Sequence, residues 1–211
     1  MAFRSIVRVA AVACLAVSVL AGPASAAVVY GGVTFTPALG FVPGATTFDT
    51  ATSANLIAGY TQAGSNMTFK VKSGTALILN PATSGGNGAE PYQDHTPYLS
   101  VLGGGAVTVT LSAPASHLSF YWGSIDAYNT ITFSDGSSFT GTDIVPKSAT
   151  GCQQNLACNG VVSFNDIGGT FTSFTLTSRS NSFEADNFTT AVPEPSTWAM
   201  MVLGFLGLGV T

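Results

Sequence analysis

Between residues 27 and 190, apolar and polar positions alternate in short runs that stop at turn residues. In Val107-Thr108-Val109-Thr110-Leu111 and in Phe171-Thr172-Ser173-Phe174-Thr175-Leu176-Thr177 the pattern follows a period of about two, as a strand with one buried and one wet face requires. Eleven such runs predict strands: 28 to 36, 66 to 71, 75 to 79, 98 to 101, 106 to 111, 117 to 122, 130 to 133, 138 to 142, 161 to 164, 171 to 178 and 182 to 189. No window of ten or more residues carries a helical period, and residues 50 to 59 predict a short helix at best. Ser134-Asp135-Gly136-Ser137 has hairpin chemistry, and Gly103-Gly104-Gly105 joins another two runs. The expected fold is all-β, one antiparallel β-sandwich or jelly roll over residues 27 to 190. No repeat of 20 to 50 residues interrupts it, and residues 84 to 88, Ser-Gly-Gly-Asn-Gly, read as a mobile loop within the domain.

Composition explains how such strands stay in water. Of 211 residues only 8% are charged, against about a quarter in an average soluble domain. Thr, Ser and Asn must therefore cover the wet faces, and a β-branched hydroxyl suits a pleated surface. The missing basic clusters argue against a nucleic-acid partner. The scarcity of charge argues against a coiled coil, and the 46% hydrophobic content against intrinsic disorder.

The two ends read as addresses. Arg4 and Arg8, an apolar run from Val9 to Leu20 and the small residues Ala24-Ser25-Ala26 have the three parts of a secretory signal peptide, with cleavage expected after Ala26. The run is shorter than the ~20 residues that span a bilayer core. Removing residues 1 to 26 takes both arginines and Cys14, leaving four basic and ten acidic residues, a net charge of −6. The remaining Cys152 and Cys158 form an even pair suited to an oxidising compartment, so a structural disulfide is expected. A redox or metal pair would want C-x-x-C spacing or a nearby His.

At the other end, Pro193-Glu194-Pro195 is followed by Trp198-Ala199 and a Gly-punctuated apolar run to Thr211. Residues 191 to 211 resemble the PEP-CTERM sorting signal of exported proteins in Gram-negative bacteria that make exopolysaccharide. The resemblance implies recognition by an exosortase, a membrane-embedded cysteine protease or transpeptidase, and cutting at the Pro-Glu-Pro segment. It also implies a transient stay at the inner membrane, then a place at the cell surface or in a secreted matrix. Two prolines keep the segment extended, the apolar run serves as a short sorting helix, and Trp198 suits the membrane interface. Residues 198 to 211 give about 21 Å of helix at 1.5 Å per residue, short of a ~30 Å core. Related tails finish with a basic cluster, so here the signal is expected to lack its basic tail.

A second resemblance lies in Tyr121-Trp122-Gly123-Ser124-Ile125-Asp126-Ala127-Tyr128-Asn129, with supporting segments at 91 to 101, 139 to 141 and 183 to 188. These are similar to a group of exosortase-sorted surface proteins, which implies a β-sandwich ectodomain and a surface location but no reaction. The aromatic segment has two readings. In one, Phe120 and Trp122 pack the sandwich while Asp126 and Asn129 satisfy turn amides. In the other, Tyr121, Trp122 and Tyr128 stack a sugar ring whose hydroxyls bond Asp126 and Asn129. Alternation also puts Glu184 and Asp186 on one face, where they would contribute to a structural calcium site if Asp94, Asp126 or carbonyl oxygens converged with them.

Enzymatic patterns are absent from the sequence. His95 and His117 occur without H-E-x-x-H, a G-x-S-x-G elbow or a Cys/His pair. Glu90, Asp126 and Glu184 offer carboxylates for glycoside hydrolysis, but that chemistry needs a fixed separation, which a sequence does not supply. The expectation is a non-enzymatic structural or adhesive protein of an exopolysaccharide-associated envelope. The alternative is a carbohydrate-binding module, with or without calcium, that binds surface glycans.

Overall fold

The computed structural model describes residues 28–30, 32–38, 46–81, 86–165 and 167–191. The predicted signal peptide, Ser84 and Gly85 of the glycine-rich loop, and the sorting residues Pro193, Glu194, Pro195, Trp198 and Ala199 lie outside them. Among the described residues, twelve strands form two antiparallel sheets. The larger contains β1 (Val28–Tyr30), β2 (Val33–Pro37), β4 (Ala76–Leu79), β5 (Tyr98–Val101), β7 (His117–Gly123), β10 (Gly160–Asn165) and β12 (Phe183–Ala191), in the order β1-β2-β10-β7-β12-β5-β4. The smaller contains β3 (Met67–Ser73), β6 (Ala106–Ala115), β8 (Asn129–Phe133), β9 (Ser138–Thr140) and β11 (Phe171–Ser178), in the order β3-β6-β11-β8-β9. The expected all-β sandwich is the observed fold, and β8 and β9 pair across the expected hairpin.

Local differences from the sequence reading have identifiable causes. The run 28 to 36 is a hairpin of two strands, because Gly32 turns the chain at φ 85°, where a side chain would meet the Asn165 carbonyl. The three-glycine segment carries the chain from β5 in one sheet to β6 in the other. A β-carbon on Gly105 would sit 2.5 Å from the Thr75 carbonyl oxygen, so the crossing demands glycine. β9 stops at Thr140 and continues as a one-turn helix, α2 (Gly141–Ile144), whose start is capped by Thr140 N–H donating to Asp143 Oδ2 at 2.7 Å. The expected short helix is α1 (Ser53–Ala58), with Asn55 accepting the Thr52 N–H at 2.8 Å and Leu56 buried. The register shift between Phe171 and Ser173 accommodates the skipped beat between Phe171 and Phe174.

Aromatic side chains fill the space between the sheets. Phe188 stands at the centre, its ring 4.8 Å from Phe120 of its own sheet and 5.0 Å from Phe69 of the other. Burying a Phe is worth about 1.5–3 kcal/mol, and aromatic contacts of this kind add about 0.5–1.5 kcal/mol. Phe188 reaches the core because β12 is bulged. Asp186 pairs with Tyr121 but Thr189 with Ser119, and Asn187 takes a left-handed φ of 57°. The extra residue resets the alternation, so Phe183, Ala185 and Phe188 are all buried among core residues. Glu184, Asp186 and Asn187 are left to the outer side, where residues 86 to 97 cover this part of the large sheet.

Candidate functional site

A pocket of about 670 Å³ opens where β7 leaves the large sheet at Gly123 and β12 enters it at Phe183. Its walls are the loops around residues 86 to 95, 124 to 128, 150 to 154 and 181 to 184. Asn159 ties three of these together. Its side-chain oxygen accepts the Ser124 N–H at 2.7 Å and the Tyr92 N–H at 3.4 Å, and its amide donates to the carbonyls of Cys152 and Asn155 at 2.7 and 2.9 Å. A disulfide joins Cys152 to Cys158, as expected, with the Cα atoms 5.9 Å apart. It closes the loop that carries Gln153 and Gln154 to the pocket wall.

Three carboxylates face this pocket, each in a different state. Glu90 is engaged by the imidazole Nδ1 of exposed His95. Glu184 is buried, which pushes its pKa up to about 7 against the pull of three donors. Those donors are the Ser124 hydroxyl at 2.8 Å, the Ala89 N–H at 3.1 Å and the Ser182 hydroxyl. Asp126 is also raised by burial. It lies against Gly151, where a β-carbon would fall 2.5 Å from Asp126 Oδ1. The Tyr128 hydroxyl beside it, its own pKa raised by burial and by Asp126, donates to the Asn181 carbonyl at 2.6 Å.

A second acidic pair sits next to the pocket, beneath the loop of residues 91 to 97. Asp94 and Asp186 are both buried, and Asp94 also accepts the Asn187 amide at 3.2 Å. Tyr121 is roofed by the same loop, its hydroxyl donating to the Tyr92 carbonyl at 2.9 Å.

The predicted site residues separate accordingly. Asp126 and Tyr128 line the pocket. Tyr121, Trp122 and Asn129 do not form a sugar platform, because all three are fully buried. Trp122 faces inward and stacks on Phe183 at 4.3 Å, with Phe120 beside it, as the packing alternative has it. Asn129 donates to the Ser182 carbonyl at 3.0 Å and accepts the Ser178 hydroxyl at 2.7 Å, so it fastens strand ends. Glu184 and Asp186 share the outer face of β12, but they do not share a ligand shell for calcium. Glu184 is held by hydroxyls and an amide, Asp186 by the Asn187 N–H and the Thr96 hydroxyl. Among the described residues no group of three or more His, Cys, Asp or Glu side chains is placed to hold a metal ion.

What the sequence left unplaced is the convergence itself. Glu90, Asp126 and Glu184, widely separated along the chain, line one cavity together with Tyr92 and His95. Asn159 carries no sequence signal beyond its position next to Cys158. The chain matches no family model, no curated protein and no solved structure.

Proposed function

We propose that this is an exported protein of a Gram-negative cell surface or matrix, sorted by an exosortase, which acts without catalysis by adhering to glycans. The address rests on the N-terminal tripartite segment and on Pro193-Glu194-Pro195 with Trp198-Ala199. The adhesive role is carried by one observation: the end-of-sheet pocket is lined by the half-buried rings of Tyr92 and Tyr128 among Asp126, Gln153, Gln154 and Asn181. Partly exposed aromatic rings beside hydrogen-bonding side chains suit a sugar, which has an apolar ring face and a rim of hydroxyls. A binding role fits better than hydrolysis because Glu184 is already occupied by three protein donors and Glu90 by His95.

Glycan-array binding by the purified protein tests the adhesive role. Retention of a defined glycan set is expected, with loss for Tyr92→Ala and Tyr128→Ala; failure of the unmutated protein to retain any glycan would end this reading. The address is tested separately by following a tagged chain in an exosortase-deficient strain. Accumulation of the uncut form is expected, and unaltered processing would refute sorting.

A further inference from the structure

We propose that the pocket selects sugars bearing a free, protonated amine, and that Asp126 receives the ammonium group. The inference rests on the glycan-binding reading of the same cavity and adds the charge of its ligand.

Three carboxylates line the pocket, but no lysine or arginine does among the described residues. Two of the three are satisfied within the protein, Glu90 by His95 and Glu184 by Ser124, Ser182 and Ala89. Asp126 differs. It is only 9% exposed, and the one side-chain donor within its reach is the Tyr128 hydroxyl. That hydroxyl has a single proton, directed at the Asn181 carbonyl 2.6 Å away. The Asp126 carboxylate therefore faces the cavity short of donors and without a cation. A ligand ammonium entering the cavity supplies both further hydrogen bonds and the opposite charge. Gly151 leaves room for the carboxylate where any side chain would displace it. The same field disfavours uronic acids and sulfated sugars, which would bring a like charge into a low-dielectric site.

Calorimetry on the purified full chain in detergent, with tetramers of glucosamine, N-acetylglucosamine and a uronic acid, tests this at a slightly acidic pH where the amine is protonated. Glucosamine tetramer is expected to bind about tenfold tighter than its acetylated form, with no measurable uronate binding. Asp126→Asn should bring the affinities for the two tetramers to within about twofold of each other. In the unmutated protein the preference should shrink in high salt, a readout that holds even if the variant misfolds. Equal affinity for the two tetramers, a preference for uronate, or a preference that survives both Asp126→Asn and salt would overturn the inference while leaving glycan binding intact. No binding of any of the three sugars would overturn both.

Discussion

Asp94 and Asp186 meet across the hydroxyl of Thr96. Thr96 Oγ1 lies in close contact with Asp94 Oδ1 and 3.2 Å from Asp186 Oδ2, and no hydrogen bond reaches the buried Asp186 Oδ1. One hydroxyl proton cannot serve both carboxylates, and burial together with their like charge favours a proton on the pair. Burial raises both carboxyls, and the neighbouring Asp94 charge helps bring Asp186 up to about 8.

The sign of the resulting pH dependence follows. An unfolded Asp loses its proton near pH 4, whereas folded Asp186 keeps it to about pH 8, so between these values the folded state binds more protons. Stability is then greatest below the unfolded value and falls as pH rises through the folded one. Glu184, raised to about 7, acts in the same direction; exposed Asp49 and buried Tyr121 are the other titratable groups facing the Asp pair. The urea midpoint is expected to be higher near pH 5 than near pH 9, and Asp186→Asn should flatten that slope. A midpoint that rises with pH would contradict the assignment.

The disulfide closes a seven-residue loop and is worth about 2 kcal/mol by chain entropy. Cys152→Ser with Cys158→Ser is expected to lower the melting temperature by several degrees. The pocket should suffer more than the core, since the loop holds Gln153 and Gln154. Amide exchange should rise in residues 150 to 158 and stay unchanged in β6 and β11; uniform loss of protection would count against a local role.

Phe188 touches both sheets, so Phe188→Ala is expected to cost about 3–5 kcal/mol. Denaturant titration measures this directly. A loss under about 1 kcal/mol would mean that the aromatic cluster closes over the cavity without penalty.

At Gly151, φ is 65° and a β-carbon would strike Asp126. Gly151→Ala is expected to cost about 1 kcal/mol for the left-handed backbone and to displace the Asp126 carboxylate. Ligand affinity should fall further than stability does. A crystal structure of the variant with Asp126 unmoved would exclude the second effect.

The strand pattern was legible because alternation is a local property: β5 and β11 fall on the predicted residues, and the β8–β9 turn is written in Asp135-Gly136. The split of residues 28 to 36 and the inter-sheet crossing at Gly103 to Gly105 were not legible. Each depends on what the glycine approaches, namely the Asn165 carbonyl in the first case and Thr75 in the second. In Tyr121-Trp122 the sequence offers aromatic rings without saying which side is covered, and a roof that begins thirty residues upstream at Pro91 decides it. The pocket was hidden for the same reason. Its carboxylates come from three distant segments, and the residue that assembles its walls, Asn159, is an ordinary asparagine until its four partners are known.

The bulge at Asn187 divides β12 into two phases. Ahead of it odd-numbered residues face the core; at Phe188 the even ones take over. The strand thus obeys two reading frames, one fitting Phe183 and Ala185 beneath the pocket and another fitting Phe188 at the centre of the sandwich. Straightening the bulge with Asn187 still in place would act on this strand as a frameshift acts on a gene, turning Phe188 toward the polar roof and leaving the centre of the core without its ring.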